Sequence, residues 1–523
     1  MKRSNSIQQI SDLSLVWDFV IVGGGATGLG AAVDAASRGY KVALLEQADF
    51  TKSTSSRSTK LVHGGVRYLA QGDVAMVIEA LHERGLMRKN APHLVKDQRF
   101  IIGNYRWWEK PFYTIGLTLY DLLAAKRAFG ASLPLSRKRV VAEIPQIATK
   151  GLRGGVVYHD GQFDDSRMAV NLAQTATEQG AACANYVQVT GLTKNAEGKI
   201  DGVDVCDMLS GKTCHLKTKS VINATGIFVD ELMQMDNEQN DRMVRPSQGI
   251  HLVVDRSFLG GDTAIMIPKT SDGRVLFGVP WHGKVVLGTT DTPLDEFTLE
   301  PRALDEEIEF ILRTAGTYLA KQPSRSDVLS VFAGLRPLAA PRKSADAKKT
   351  KEISRSHKIM ISDSGLLTIT GGKWTTYRRM AEDAINKAAA IAGLPRKKCV
   401  TKNLHIHGHK KTTDRESFSY VYGSDYEKIL QLQNENPAMS KKIHPSYEYT
   451  AAEVVWAVRH EMAQTVEDVL ARRFRLLFLD ARAAIEAAPN VASLMAKELG
   501  ENHEWEQLQI QIFVEIANGY LIE

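Results

Sequence analysis

Cysteine is scarce in this chain of 523 residues, and the four cysteines that it has are widely separated. They stand at Cys183, Cys206, Cys214 and Cys399, and no two of them form a C-x-x-C pair. This spacing argues against an iron–sulfur cluster, a structural zinc site or a redox dithiol. It is typical of a protein from a reducing compartment.

Long apolar runs and a strong net charge are missing as well. The longest apolar stretch away from the N-terminal strand, residues 115–125, is interrupted by Thr118 and Asp121. It is much shorter than the ~20 residues of a membrane-spanning helix, and no signal peptide is visible. The net charge of +6 is compatible with small phosphates or acidic lipid, but no nucleic-acid partner is expected. We therefore expect a soluble or peripheral protein of two or three domains.

The first strong pattern is a β–α–β unit close to the N-terminus. The apolar run Asp18–Val22 predicts a buried strand, a glycine loop occupies residues 23–28, and small residues predict a helix that ends near Arg38. Residues 40–45 predict the second strand. Residues 1–16, which precede the unit, are predicted to be a loose leader.

The glycine loop has the G-x-G-x-x-G spacing of a dinucleotide site. Gly23 permits a tight turn, Gly25 lets the backbone approach a pyrophosphate, and Gly28 lets helix and strand pack closely. The helix N-terminus would offer N–H groups and a positive dipole end to the phosphates. Glu46, 18 residues beyond Gly28, could accept hydrogen bonds from an adenosine ribose. The unit predicts dinucleotide binding, with FAD and NAD both open.

The choice between FAD and NAD depends on segments that lie far from the loop in the sequence. No second G-x-G-x-x-G is present, so the separate nicotinamide domain of flavin reductases is not expected. Residues 223–226 (NATG) follow a predicted buried strand, and residues 371–373 (GGK) follow another and open a predicted helix. A Ser/Thr-rich stretch also covers residues 51–60.

These segments resemble the FAD-dependent glycerol-3-phosphate dehydrogenases. The matching motifs are LLEQADF (44–50), TSSRSTKLVHGGVRYL (54–69), AGLRPL (333–338), ISR (353–355), TGGKWTTYR (370–378) and EMAQTVEDVLARR (461–473). Matching segments cover most of the chain. They are sparse between about residues 91 and 150 and between 400 and 450. The 54–69 motif is the most specific of them.

The resemblance implies an α/β fold with three domains. The expected parts are a discontinuous Rossmann-like FAD-binding domain (1–84, 166–232 and 356–395), an interleaved mixed-sheet substrate domain (85–165 and 233–355) and a helical C-terminal domain (396–523). FAD is the implied cofactor. Besides the glycine loop and Glu46, its expected contacts are Ser55, Ser56, His63, Gly64, Gly65, Ala224, Gly226, Gly372 and Lys373.

The family oxidises sn-glycerol 3-phosphate to dihydroxyacetone phosphate and passes the electrons to quinone. For this chain the resemblance therefore implies glycerol 3-phosphate and quinone as partners. It also implies a cytoplasmic protein, peripheral on the inner face of the cytoplasmic membrane, and leaves a homodimer open. The residues expected to bind the substrate are Arg67, Tyr68, His251, Arg336, Arg355 and Lys373.

Catalysis is expected from four of these residues, namely His251, Arg336, Lys373 and Arg67. An arginine fork pairs with phosphate oxygens bidentately, which suits Arg336. A histidine has the pKa for reversible proton uptake near neutrality, which favours His251 as the base. A structural role for His251 remains open, and His63 is the competing base.

Three further alternatives remain open at this point. An oxidase that uses oxygen and releases peroxide is one, although oxidase relatives generally carry an insertion for which this chain seems too short. A flavin-binding regulatory protein without turnover is another. The third concerns residues 106–127, whose aromatic and basic side chains could contact a membrane interface or belong to the core.

The alternating His405, His407 and His409 would share one face of a strand, but no metal site is expected there.

Overall fold

The computed structural model describes residues 1–69, 72–270, 273–339, 357–413 and 417–522. Three sheets and fifteen α-helices are found in these parts of the chain.

The predicted β–α–β unit forms the centre of a six-stranded sheet. The strand order is Lys358–Ile361, Leu367–Thr370, Val221–Asn223, Phe19–Val22, Val42–Leu45 and Ala182–Ala184. Neighbouring strands are parallel except for the first pair, which is antiparallel. The two strands of the unit are buried along their whole length, as parallel strands covered on both faces are.

Both faces of this sheet are covered. One face carries the helices Ala26–Ser37, Asp165–Glu178 and Tyr377–Ile391, which share a core with Phe19, Ile21 and Leu44. The opposite face meets a four-stranded sheet, whose strands in order are Val16–Trp17, Thr213–Thr218, Ile200–Asp207 and Val187–Lys194. Because side chains alternate along a strand, Val20 and Val22 point to this second face.

A ten-stranded mixed sheet forms the second half of the molecule. Eight strands follow the order Thr292–Pro293, Val244–Asp255, Lys284–Gly288, Leu276–Trp281, Ala264–Ile267, Lys96–Asn104, Gly154–Gln162 and Leu61–Val62. Val328–Ala339 also pairs with Val244–Asp255, and Leu133–Ser136 pairs with Gly154–Gln162. The pairing of Ala264–Ile267 with Lys96–Asn104 is parallel, and the other pairings are antiparallel.

The remaining helices surround these sheets. Those before the C-terminal region are Arg3–Ile10, Val66–Leu69, Val74–Asn90, Glu109–Ala124, Arg137–Glu143, Val229–Asp236 and Asp305–Tyr318. The C-terminal region contains Tyr426–Glu435, Ala451–Glu461, Leu476–Leu479, Ala481–Leu499 and His503–Asn518, with a π-helical turn at Asp468–Arg473. Its core includes Trp281 and Phe332, so the C-terminal helices pack on the ten-stranded sheet.

The N-terminal prediction of a loose leader is wrong for residues 3–10, which form a helix. Long-range contacts fix this helix. Arg3 pairs with Asp207 at 2.5 Å, and the Met1 amino group donates to the carbonyl of His460 at 3.0 Å. These partners lie about 200 and 460 residues away in the sequence, so a local pattern could not predict the contacts.

The predicted domain boundaries remain a prediction, but the elements show where they fall. The break between residues 84 and 85 lies inside the helix Val74–Asn90, and the strand Leu61–Val62 already pairs in the mixed sheet. The break between 165 and 166 lies at the start of the helix Asp165–Glu178. Among the described helices, none combines the length and the apolar character needed to cross a membrane.

Candidate active site

A cavity of about 490 Å³ lies between the six-stranded sheet and the ten-stranded sheet. At one end it is lined by the glycine loop after Phe19–Val22 and by residues that follow Val221–Asn223. At the other end it is lined by residues of Val244–Asp255 and Val328–Ala339. Ligands of open α/β sheets bind in such a crevice at the carboxyl ends of the strands.

The glycine loop approaches its neighbours too closely for a side chain. Gly23 has φ of 109°, and a Cβ there would lie 2.6 Å from the carbonyl oxygen of Ala224. A Cβ on Gly28 would overlap the carbonyl oxygen of Gly23, so the helix can begin this near the strand only with glycine. Helix Ala26–Ser37 begins at the cavity, and the N–H of Ala26 donates to Ser55 Oγ at 3.0 Å. The result is an open backbone cradle with the positive end of a helix, which fits a pyrophosphate.

Glu46 lines the same end of the cavity. Its carboxylate accepts from the N–H groups of Gly24 at 2.6 Å and Ala48 at 2.9 Å. Burial raises the pKa of Glu46, against these two hydrogen bonds. The side chain is thus held at the end of the second strand, where a ribose would meet it.

The 54–69 segment runs along the cavity from one end towards the other. Ser55, Thr59, His63, Gly65 and Tyr68 line it. Two residues of the segment that were expected to contact the cofactor do not line the cavity. The carbonyl of Ser56 accepts from Lys60 and Arg475, and Gly64 is buried with its N–H donating to Tyr120.

The GGK segment closes the cavity from another side. Gly372 and Lys373 line it, as do Ala224 and Gly226 from the NATG segment. The ammonium of Lys373 lies 3.9 Å from the centre of the Tyr68 ring. The indole N–H of Trp374 donates to the carbonyl of Ser55 at 2.8 Å, which joins this segment to the 54–69 segment.

Arg336 and His251 lie on one face of the paired strands Val244–Asp255 and Val328–Ala339. Ser247 pairs with Arg336 and His251 pairs with Phe332, with Gly249 between them on the same face. The guanidinium of Arg336 donates to Thr289 Oγ1 at 3.1 Å and lies 3.4 Å from Asp291 Oδ1. Both Arg336 and His251 line the cavity.

His251 is nearly enclosed. Its ring stacks on Phe332 at 4.8 Å, and Nε2 lies 2.9 Å from Thr59 Oγ1. Burial lowers the pKa of His251 well below its ordinary value, and the charges of Lys60 and Arg336 lower it further. The imidazole is therefore neutral near pH 7, the form that can accept a proton, but it is a weaker base than the ordinary pKa of histidine predicts.

Two predicted site residues cannot be placed in full. Arg355 lies outside the described residues, and the side chain of Arg67 is not described. Sequence reasoning in turn missed the cavity residues Thr59, Thr289 and Asp291. Thr59 lies within the 54–69 motif. The polar residues that follow the strand Lys284–Gly288 could have indicated Thr289 and Asp291.

The three alternating histidines do not share a strand, because no strand includes residues 405–409 among the described elements. His405 and His409 stack on each other at 3.8 Å, and His407 contacts Glu178 and Asp425. Within the described residues, no group of three potential ligands has metal-binding geometry.

A backbone cradle at a helix N-terminus, an acid at the second strand end and an interleaved mixed sheet together form a dinucleotide site beside a substrate site, as an FAD-dependent oxidoreductase requires. A family model described as FAD dependent oxidoreductase matches residues 18–378, and one described as the C-terminal domain of alpha-glycerophosphate oxidase matches residues 367–506.

Named relatives narrow this class. The probable mitochondrial glycerol-3-phosphate dehydrogenase of Caenorhabditis elegans is 39% identical over 96% of this chain and 74% of its own length. The mitochondrial glycerol-3-phosphate dehydrogenase of Schizosaccharomyces pombe is 37% identical over 99% of this chain and 89% of its own length. The chain therefore belongs to the FAD-dependent glycerol-3-phosphate dehydrogenase family.

Two solved structures are similar to this chain. The glycerol-3-phosphate dehydrogenase of Bacillus halodurans, complexed with FAD, has a TM-score of 0.81 and 28% identity and covers 99% of this chain and 98% of that one. The L-alpha-glycerophosphate oxidase of Mycoplasma pneumoniae, with FAD bound, shares the fold at a TM-score of 0.56 and 17% identity, over 75% of this chain and 98% of that one. The predicted fold class and the predicted cofactor, FAD, are confirmed.

Proposed function

We propose that this protein oxidises sn-glycerol 3-phosphate to dihydroxyacetone phosphate and passes the electrons to a quinone. The observation that carries the proposal is the pair formed by Arg336 and His251 on one face of the cavity wall. The pair offers an anion-binding fork beside a neutral base, while the glycine loop lies at the far end. This arrangement suits a small phosphate ester with an oxidisable hydroxyl.

Arg336 is the proposed phosphate ligand. Carbonyl oxygens, Thr289 and Asp291 hold both Nη groups in place, so little side-chain entropy remains to be lost on binding, and a bound phosphate would take over part of these hydrogen bonds. Each charge-assisted hydrogen bond to a phosphate oxygen contributes roughly 1.5–3 kcal/mol. Arg355 and Arg67 are proposed to assist it, on the strength of the family resemblance.

His251 is the proposed acceptor of the proton from the C2 hydroxyl. Lys373 and Tyr68, in contact with each other, are proposed to orient the substrate beside the flavin. Lys373 also precedes the helical turn Trp374–Thr376 and would add positive charge next to the cofactor. When bound, FAD supplies the hydride acceptor, which the side chains of the protein cannot provide.

Bleaching of the flavin by substrate tests this proposal. The holoprotein, kept free of oxygen, is titrated with glycerol 3-phosphate while the flavin absorbance is followed. Full bleaching is expected, with glycerol as the control compound that lacks the phosphate. A spectrum that stays oxidised would refute both the substrate and the enzymatic role, and would favour the flavin-binding regulatory protein.

The electron acceptor needs its own test, because an oxidase is the second candidate. Two observations favour the oxidase: the match to the C-terminal domain of alpha-glycerophosphate oxidase and the fold shared with the Mycoplasma enzyme. Under air, the quinone proposal expects little peroxide and a rate that rises with added soluble quinone. One molecule of peroxide formed for each molecule of substrate oxidised would refute the quinone proposal and identify the protein as an oxidase.

We also propose that the protein is cytoplasmic and binds peripherally to the inner face of the cytoplasmic membrane. The helix Glu109–Ala124 supports this, because its outward side is apolar. Ile115 is 72% exposed, Leu122 70% and Phe112 60%, while Leu117 and Tyr120 on the opposite side are buried. Trp107 just before the helix is 78% exposed, and tryptophan favours the membrane interface.

Flotation with vesicles that contain anionic lipid tests the membrane proposal. The double variant Phe112→Glu/Ile115→Glu should stay in solution while the wild type floats. Leu508→Glu, which changes an apolar residue 52% exposed on the helix His503–Asn518, is the matched control and should float. If the wild type does not float, and light scattering gives twice the chain mass for the wild type but a single chain mass for the double variant, this face is the interface of a homodimer.

A further inference from the structure

The two ring nitrogens of His251 have different surroundings. Nδ1 is enclosed and has no hydrogen-bond partner among the described residues. Nε2 lies 2.9 Å from the hydroxyl oxygen of Thr59, and both residues line the cavity. A proton that leaves a bound substrate can therefore reach the ring only at Nε2, where the Thr59 hydroxyl already lies.

The neighbours of Thr59 fix its position on both sides. Ser58 donates to Asp165 Oδ2 through its N–H at 3.1 Å and its hydroxyl at 2.6 Å, and Lys60 contacts the same oxygen at 2.8 Å. Asp165 is fully buried, and Arg475 lies 3.1 Å from its other oxygen. The segment 58–60 is thus anchored before and after Thr59, so its hydroxyl stays beside His251.

Packing fixes the imidazole in the same way. The ring stacks on Phe332 with an angle of 18° between the two planes. On the neighbouring strand, a Cβ on Gly288 would overlap Cδ2 of His251, so glycine there leaves just enough room for the ring. This packing fixes the plane of the ring, and the contact with Thr59 selects the orientation in which Nε2 faces that hydroxyl.

We infer that the Thr59 hydroxyl relays the proton of the substrate C2 hydroxyl to Nε2 of His251. This inference rests on the proposed function. Bound FAD would supply the acceptor for the hydride of the C2–H bond and would be reduced, and the substrate would become a ketone. The O–H bond of the substrate breaks, and its proton goes to Oγ1 of Thr59. The proton that Oγ1 carried goes to Nε2, so Thr59 ends unchanged and His251 ends as an imidazolium.

The charges around His251 tie this relay to a bound phosphate. Lys60 and Arg336 are the charged groups that lower the pKa of His251, after burial, and Asp291 partly offsets Arg336 at 3.4 Å. A phosphate dianion on Arg336 would cancel more of that positive charge and raise the affinity of Nε2 for a proton. The base therefore becomes stronger when the substrate binds.

The first test removes the hydroxyl and keeps the shape of the side chain. In Thr59→Val, flavin reduction by glycerol 3-phosphate, followed by anaerobic stopped flow, should slow by about 100-fold or more. FAD content and the substrate concentration for half-maximal rate should not change, and Thr59→Ser should restore the rate. Thr314→Val is the matched control, because that hydroxyl donates to the carbonyl of Phe310 within the helix Asp305–Tyr318, which does not line the cavity.

The second test uses the wild type and depends on no variant. A relay moves two protons in one step. A plot of the rate of flavin reduction against the deuterium fraction of the solvent should therefore be curved. A straight line would mean that one proton moves and would overturn the relay. So would a Thr59→Val rate equal to the wild type, or a Thr59→Ser rate as low as that of Thr59→Val.

The hydrogen bond itself can be observed without turnover. In protein labelled with ¹⁵N-histidine, the signals lost in His251→Gln belong to His251. These signals should shift in Thr59→Val and not in Thr59→Ser, and unchanged shifts in Thr59→Val would contradict the contact. Failure of the relay differs from failure of the proposed function, since in the latter case wild-type flavin is not reduced at all.

Discussion

The guanidinium of Arg336 lies directly over the backbone of Gly249, in space that any other residue would fill. A Cβ on Gly249 would overlap Nη2 of Arg336 and lie 2.6 Å from Thr289 Oγ1. Gly249 is also the residue that separates Arg336 from His251 on their shared face. The geometry of the proposed phosphate site therefore depends on the absence of a side chain.

Gly249→Ala should weaken substrate binding by displacing Arg336. Forced repacking of this kind costs about 1–3 kcal/mol, which corresponds to roughly 5- to 150-fold in the substrate concentration for half-maximal flavin reduction. FAD content should not change, because Gly249 lies at the substrate end. Gly116→Ala is the control, since nothing lies within 4 Å of a Cβ there. Unaltered substrate affinity in Gly249→Ala would mean that Arg336 does not bind the phosphate.

Arg336→Lys tests the fork itself. Lysine keeps the charge but cannot pair bidentately, so loss of one charged hydrogen bond should cost roughly 1.5–3 kcal/mol, or about 10- to 150-fold in substrate affinity. The measurement is the titration of flavin bleaching with glycerol 3-phosphate, beside the flavin absorbance per protein. If the variant loses flavin instead, Arg336 supports the cofactor and its assignment to the substrate is wrong.

Gly28→Ala should reduce the flavin content. The added methyl group would overlap the carbonyl of Gly23, and the helix Ala26–Ser37 would have to move away from the loop that cradles the pyrophosphate. The measurement is the ratio of flavin to protein absorbance after purification, with circular dichroism as the check of folding. Gly116→Ala again serves as the control, and a full complement of FAD in folded Gly28→Ala would contradict this role of Gly28.

Local patterns sufficed to predict the cofactor end of the site. The strand, glycine loop, helix and acid of residues 18–46 are consecutive, and the observed strands Phe19–Val22 and Val42–Leu45 match the predicted ones. The proximity of Arg336 to His251 could not be predicted from local pattern, because it depends on the register of two strands about 85 residues apart. The contact between Thr59 and His251 joins residues 192 positions apart.

Buried ion pairs were the hardest feature to foresee. Asp49 is fully enclosed and accepts hydrogen bonds from Arg473 at 2.7 and 2.9 Å and from Arg472 at 2.5 Å, across more than 400 residues of sequence. In the sequence, Asp49 is an ordinary acid after a strand, and the two arginines belong to a basic stretch that could equally be solvated. Only the docking of the C-terminal helices on the FAD-binding region turns these three charges into one cluster.

This cluster predicts an acid-dependent contribution to stability. Burial alone would raise the pKa of Asp49, but the charges of Arg473 and Arg472 outweigh it and hold that pKa well below its usual range. An aspartate with a lowered pKa stabilises the fold above its ordinary pKa of about 4, and the contribution is lost as the pH falls further. Asp49→Asn removes the carboxylate that both arginines share. Arg472 keeps Glu467 and Asp468 at 2.6 Å, whereas Arg473 keeps Glu461 at 3.8 Å, so the loss falls mainly on Arg473 and at pH 7 should cost about 3 kcal/mol.

Thermal unfolding followed between pH 7 and pH 3 measures this contribution. The gap in unfolding temperature between wild type and Asp49→Asn should be widest at pH 7 and should narrow below about pH 4, because the Asp49 carboxylate then takes up a proton in the unfolded chain but not in the folded one. Asp305→Asn is the matched control: that aspartate is exposed and pairs with Arg325 at the surface, so it should change stability by less than about 1 kcal/mol. A gap that does not vary with pH would mean that the carboxylate charge is not what Asp49 contributes.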